Sequence, residues 1–352
     1  MLLISADRSP LSLDKVMLNP YQRIEISGKV QNPAQSLSLK YSNNKEQHTI
    51  EYRYPRYWHG YIIWLRPLLT IIDYSKIRFI IKCSFYGLSA LIICLLIISH
   101  YKRYVPAFIL FLCSLSPSAI VQSLQFSTVV LISLFFSTIA ILFGPRIVSK
   151  PISFFLLAGI CTSYFDLLSC PVLTLGLPLS FILLCSADKF PVFSSWKLSI
   201  QASTAWVCGY FGMWLGKWLL ATTFTKHNIF IDAIHQILQR SSLENFGDTS
   251  FSYYLDVLIK NISLYIEGSH DIFYLTLSTF VITVAVMAWQ KNSMLLKGLG
   301  RVAIVLLLPF GWCLFASNHS YVHYWFTYRN FSLCLFPILC LIGDVYLKRK
   351  SY

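Results

Sequence analysis

The sequence predicts an all-α fold: a polytopic helical membrane protein of about nine transmembrane helices, with interfacial amphipathic helices on its outer face. Three observations carry this expectation. Of 352 residues, 56% are hydrophobic and only 12% charged, where a soluble domain carries roughly 25%. Mean hydropathy is +0.59. The apolar residues also lie in continuous runs, whereas an outer-membrane barrel alternates apolar and polar positions. Together they exclude a soluble globular enzyme, a disordered chain and a secreted disulfide scaffold.

Taken in order, residues 1–54 read as a polar extracytoplasmic segment. Within it, Ser36-Leu37-Ser38-Leu39-Lys40-Tyr41 alternates in the manner of a strand. Residues 55–78 read as an interfacial amphipathic segment rich in Tyr, Trp and Arg. Spans then follow at about 79–99, 105–121, 126–143, 151–163, 171–187, 197–221, 272–289, 301–317 and 329–347, within a transmembrane domain of 79–347. Pro117 is expected to kink or stop the second. The fourth is short and breaks at Ser163–Asp166, as half a helix or a re-entrant segment. The external loop 222–271 carries two amphipathic stripes, Ile229, Ile231, Ile234, Ile237 and Leu238, then Tyr253, Leu255, Leu258, Ile262 and Tyr265. A polar loop with Glu244 and Asp248 joins them. Residues 348–352 form a basic tail.

Net charge is +14. In so apolar a chain this points to the positive-inside bias and to anionic lipid, and no nucleic-acid partner is expected. Lys102 and Arg103, Arg146 and Lys150, Lys189 and Lys197, Lys291 with Lys297 and Arg301, and Lys348 to Lys350 fall in alternate connections. All five groups therefore belong on one face, which the rule makes cytoplasmic, C-terminus included. That count puts the N-terminus outside without a hydrophobic run to carry it there. A helix or signal ahead of Met1 is the expectation, with a first span acting as reverse anchor as the alternative. The 10 cysteines form no CxxC and no zinc spacing, so neither a disulfide framework nor a metal site is expected. No cofactor fingerprint is present, and the oligomeric state is left open.

Chemistry-bearing residues gather in the outer segments. Tyr52 to Pro67 includes Arg56, His59 and Arg66, and a guanidinium fork at that depth suits a lipid phosphate. In Thr162 to Pro171, Asp166 is a carboxylate at a helix end, either functional or a turn-capping residue. In Ser317 to Arg329, His319 and His323 share a face if the stretch is helical, and Arg329 enters the last span. No Glu follows His319 in the HExxH manner, so proton transfer or sugar-hydroxyl binding is the better reading of the pair. No P-loop, Ser-His-Asp spacing or central acidic residue of a proton-coupled carrier is seen.

The segments "YPRYWHGYIIWLRPLL", "SYFDLLSCPVLTLGLPL" and "NHSYVHYWFTYRN" resemble parts of bacterial membrane proteins near the GT-C class of glycosyltransferases, from about Arg53 onward. The resemblance implies a polyprenyl-phosphate-linked sugar as donor, transfer at the outer face of the bacterial cytoplasmic membrane, and a role in envelope polysaccharide or glycopolymer assembly. It also implies a catalytic carboxylate in the first external loop. Glu51 and Asp166 are the candidates for it here, with Arg56, Arg66 or Arg329 on the leaving phosphate and His59, His319 and His323 on sugar or acceptor. The chain departs from the pattern in lacking the helix before that loop. The competing expectations are a lipid or polysaccharide transporter, an assembly subunit, or an inactive truncated relative.

Overall fold

The computed structural model describes residues 1–5, 12–42, 48–186, 191–225, 227–241, 251–267 and 293–349. The expected span at 272–289, the acidic residues Glu244 and Asp248, and the basic positions Lys189, Lys291 and Lys350 lie outside the described residues.

The protein is mostly helical, but not purely so. After two short helices, α1 (Leu2–Ser5) and α2 (Leu13–Leu18), the chain forms a three-stranded antiparallel sheet in the order β2-β1-β3. Strand β1 is Pro20–Ile26, β2 is Lys29–Val30 and β3 is His48–Arg53. Ser27 and Gly28, at φ 51° and 75°, make the two-residue turn between β1 and β2, since both positions of such a turn need the left-handed region. The stretch expected as a strand is instead helix α3 (Pro33–Tyr41). Asn32 explains the reversal. Its Oδ1 accepts from Gln35 N at 2.9 Å, while Gln35 Oε1 accepts from Asn32 N at 3.2 Å, and Pro33 opens the first turn. This reciprocal cap outweighs a six-residue alternation.

Next come α4 (Ile62–Ile71), α5 (Tyr74–Ile98), α6 (Val105–Ser114), α7 (Pro117–Gln122), α8 (Leu124–Ser149), α9 (Pro151–Phe165), α10 (Leu173–Cys185) and α11 (Val192–Phe224). The chain ends with α12 (Ile229–Ser241), α13 (Phe251–Glu267), α14 (Ser293–Phe315), α15 (Ser317–Val322), α16 (Tyr324–Thr327) and α17 (Ser332–Arg349). The nine expected spans are not supported. Among the described residues, four helical segments are long and apolar enough to cross a membrane: Tyr74–Ile98, Leu124–Ser149, Leu295–Phe315 and Tyr324–Val345. The overcount has a physical cause. Helices α9 and α10 are short, and every α10 residue from Leu173 to Leu184 is buried by protein. An apolar run of that length serves a protein interior as well as it serves lipid. The expected span 105–121 divides where Ser116 turns to φ 57° and Pro117 starts a new helix.

Contacts sort the connections into two ends. At one, Arg103 pairs with Asp344, Tyr101 Oη donates to Cys185 O at 2.5 Å, and Trp196 Nε1 donates to Gly300 O at 2.6 Å. At the other, Gly60 N donates to Tyr164 O at 3.0 Å, Arg56 pairs with Asp232, and Arg329 Nε donates to Leu115 O at 2.8 Å. The tightest helix pair, α9 with α11, is made by glycines. A Cβ on Gly159 would run into Trp206 O, and one on Gly209 into Leu156 O. Ala158, Ala202 and Ala205 complete the seam, so the two backbones meet directly.

Candidate functional site

A small pocket, of about 40 Å³, lies at the second end. Its wall draws on five segments far apart in sequence: Arg56 and Tyr57, Leu168, Trp214 and Trp218 of α11, Gln236 and Ile237 of α12, and His319 of α15, which closes it. Local chemistry explains why each arrives. Trp206, Tyr210, Trp214 and Trp218 are spaced by four, so they share one face of α11. Successive ring centroids are 4.7, 5.0 and 5.9 Å apart. Trp218 Nε1 donates to Arg56 O at 3.1 Å, which fixes the loop beside the aromatic ladder. Tyr57 meets Trp214 edge-on at 6.0 Å.

Arg56 supplies the charge. Its Nη1 lies 3.1 Å from Asp232 Oδ2, and its guanidinium covers the Tyr54 ring at 5.2 Å. Among the described residues no carboxylate lines the pocket; Asp232, 45% exposed, reaches it through Arg56. Helix α12 thus forms a wall that is tied on by an ion pair. It buries Ile229 and Ala233 while leaving Ile231, Ile234 and Leu238 exposed, an arrangement suited to a helix lying in a lipid interface.

His59 sits behind the pocket. It is buried at φ 53°, with Nε2 3.0 Å from Tyr54 O and Nδ1 2.9 Å from Tyr61 Oη. A carbonyl only accepts, so Nε2 carries the proton and Nδ1 accepts from the tyrosine. Burial pushes its pKa down to about 3, so the ring is neutral. Asp166, just after α9, is fully enclosed. Its oxygens accept from Ser169 Oγ at 2.6 Å and Ser169 N at 3.1 Å. Burial pushes its carboxyl up to about 6, against the pull of those bonds and of the Leu167 and Leu168 amides. It organises a tight turn that sets Leu168 at φ 64° against the pocket. His319 Nε2 donates to Leu168 O at 2.9 Å, and the His319 and His323 rings are 4.8 Å apart.

The remaining expected site residues are placed elsewhere. Glu51 is exposed on β3 and pairs with Arg53 Nε at 3.0 Å. Arg66 is half-buried on α4. Arg329 is buried between the rings of Phe126 and Tyr328, at 4.8 and 4.6 Å, and its bonds go to the carbonyls of Leu115 and Trp325. The pocket therefore gathers Arg56 and His319, holds Asp166 and His59 one layer behind, and excludes Glu51, Arg66 and Arg329 from its lining. Sequence reasoning missed Asp232 and the α11 ladder. The four-residue spacing of Trp206, Tyr210, Trp214 and Trp218 was the available signal. Among the described residues no cluster of three His, Cys, Asp or Glu is placed to hold a metal.

The chain matches no protein-family model, no curated protein and no solved structure.

Proposed function

We propose that this is an integral membrane protein that transfers a sugar from a polyprenyl-phosphate donor at the outer face of the bacterial cytoplasmic membrane, with the Arg56 pocket as its site. One observation carries the reading: five distant segments converge on a pocket with an aromatic wall, a guanidinium and an imidazole. Aromatic faces suit the C–H faces of a pyranose, and a guanidinium suits a phosphate diester. The exposed apolar face of α12 sits beside it, where a prenyl chain can lie.

In this scheme the donor phosphate draws Arg56 away from Asp232. The released carboxylate takes the proton of the acceptor hydroxyl as its oxygen attacks the anomeric carbon. The bond from that carbon to the phosphate oxygen breaks, and its electron pair leaves with the polyprenyl phosphate held on Arg56. His319 orders a sugar hydroxyl. Asp166 and His59 are positioning residues, setting Leu168 and the 54–61 loop.

The test uses the purified full-length protein in nanodiscs with labelled polyprenyl-phosphate sugars. Release of polyprenyl phosphate is expected, falling at least about a hundredfold in Asp232→Asn, within the range for losing a positioned base. Arg56→Gln is expected to weaken donor binding as well. A second reading, a lipid or polysaccharide transporter or an assembly subunit, draws on the absence of a carboxylate from the lining itself. Donor binding without release, unchanged in Asp232→Asn, would replace the first reading with this one.

A further inference from the structure

A second cavity, of about 670 Å³, lies at the opposite end, where the basic connections gather. Its wall includes Ser149, Lys150, Ser153, Ser186, Ser195 and Lys197. Among the described residues no Asp or Glu lines it, and neither lysine pairs with a carboxylate. Two helices begin here, the 15-residue α9 at Pro151 and the 33-residue α11 at Val192, and neither start carries a side-chain cap. Their first-turn N–H groups and the positive ends of their dipoles add to the two ammonium groups. The hydroxyls of Ser153 and Ser186 supply further donors, while those of Ser149 and Ser195 donate to Arg146 O and Pro191 O. Ile152, which lines the cavity, is an exposed apolar side chain, and so are Phe193 and Ile200, neighbours in sequence of the lining residues Ser194 and Gln201, with Phe193 at 83%.

We infer that this cavity is a binding site for a phosphate-bearing anion, occupied by the headgroup of an anionic phospholipid. Lysines, hydroxyls and helix starts recognise the phosphate, and the apolar rim seats the acyl chains. The rim is what favours a lipid over a soluble phosphate. Basic pockets between membrane helices are known to take such headgroups. The inference does not depend on the sugar-transfer reading, because the two sites share no residue.

Native mass spectrometry of the full-length protein, delipidated and titrated with phosphatidylglycerol or phosphatidylcholine, tests it. Preferential retention of one phosphatidylglycerol is expected. Each lysine near an anionic headgroup contributes about fivefold, so Lys150→Gln with Lys197→Gln is expected to lower that affinity roughly 25-fold. The Lys150→Arg, Lys197→Arg pair should restore it. Lys102→Gln with Lys297→Gln, on the same end but outside the cavity, should leave it unchanged. Thermal melts of all variants separate loss of the site from loss of the fold. An equal fall in both glutamine pairs would overturn the site in favour of a diffuse basic surface. Inorganic phosphate displacing the lipid at comparable concentration would overturn the lipid as occupant.

Discussion

His59 is a histidine that the fold keeps uncharged, and this has a consequence for stability against pH. Its folded pKa, near 3, lies below the ordinary 6.5, so its contribution is complete above pH 6.5 and is lost as pH falls toward 3. Asp166 works in the opposite sense. Its folded pKa, near 6, lies above the ordinary 3.8, so its contribution is complete below pH 3.8 and is lost as pH rises through 6. Melting temperature followed by circular dichroism should therefore fall less steeply on the acid side in His59→Gln than in the wild type. Asp166→Asn should gain relative to the wild type above pH 6. Parallel pH profiles for wild type and variants would refute both assignments. At this scale the sequence was half legible. It marked Asp166 and His59 as unusual because ionisable residues among apolar ones are costly, but it could not say that their bonds point into turns rather than into a cavity. Asp232 carries no mark in the sequence, since its partner Arg56 is 176 residues away.

At the scale of elements, the α9–α11 seam makes an unusually sharp prediction, because two glycines three residues apart should respond with opposite sign. Gly209 faces Leu156 O, whereas a Cβ at Gly212 meets nothing within 4 Å. Gly209→Ala is expected to destabilise by about 1–3 kcal/mol through forced separation of the helices. Gly212→Ala should stabilise by about 0.5–1 kcal/mol, the ordinary gain of alanine within a helix. Thermal unfolding in one detergent decides it, and equal shifts would show that the seam is not the close contact described. Helices were the most legible elements, because long apolar runs and Pro117 leave few alternatives. The 36–41 stretch is helix and not strand because a cap of two side chains and one proline is a stronger local instruction than alternation of leucine with serine. Helix α10 was misread as a span because composition does not distinguish an apolar residue touching lipid from one touching Phe336.

For the whole molecule, the arrangement of charge is the property most open to test. The connections bearing Arg103, Arg146, Lys150 and Lys197 lie toward one end, and the sugar-site segments toward the other. If the basic end faces the cytoplasm, a cysteine placed at Ser149 reacts with an impermeant maleimide only in inside-out vesicles, and one at His227 only in intact spheroplasts, in a background without accessible native thiols. The reverse pattern would invert the site's proposed compartment. The enclosure of α10 also bears on how the chain is made. Gly176 accepts the Leu333 side chain where any Cβ would collide, and Phe181 meets Phe336 at 4.9 Å. The wall that covers this side of α10 therefore comes from a segment synthesised long after α10 itself. Until then, a central helix with Ser180 and Thr174 along it waits with one side open to the bilayer or to a chaperone. A stop codon ahead of residue 332 should thus yield not a shorter working protein but one held by the insertion machinery and degraded. Biogenesis here has its quality check where α17 docks on α10.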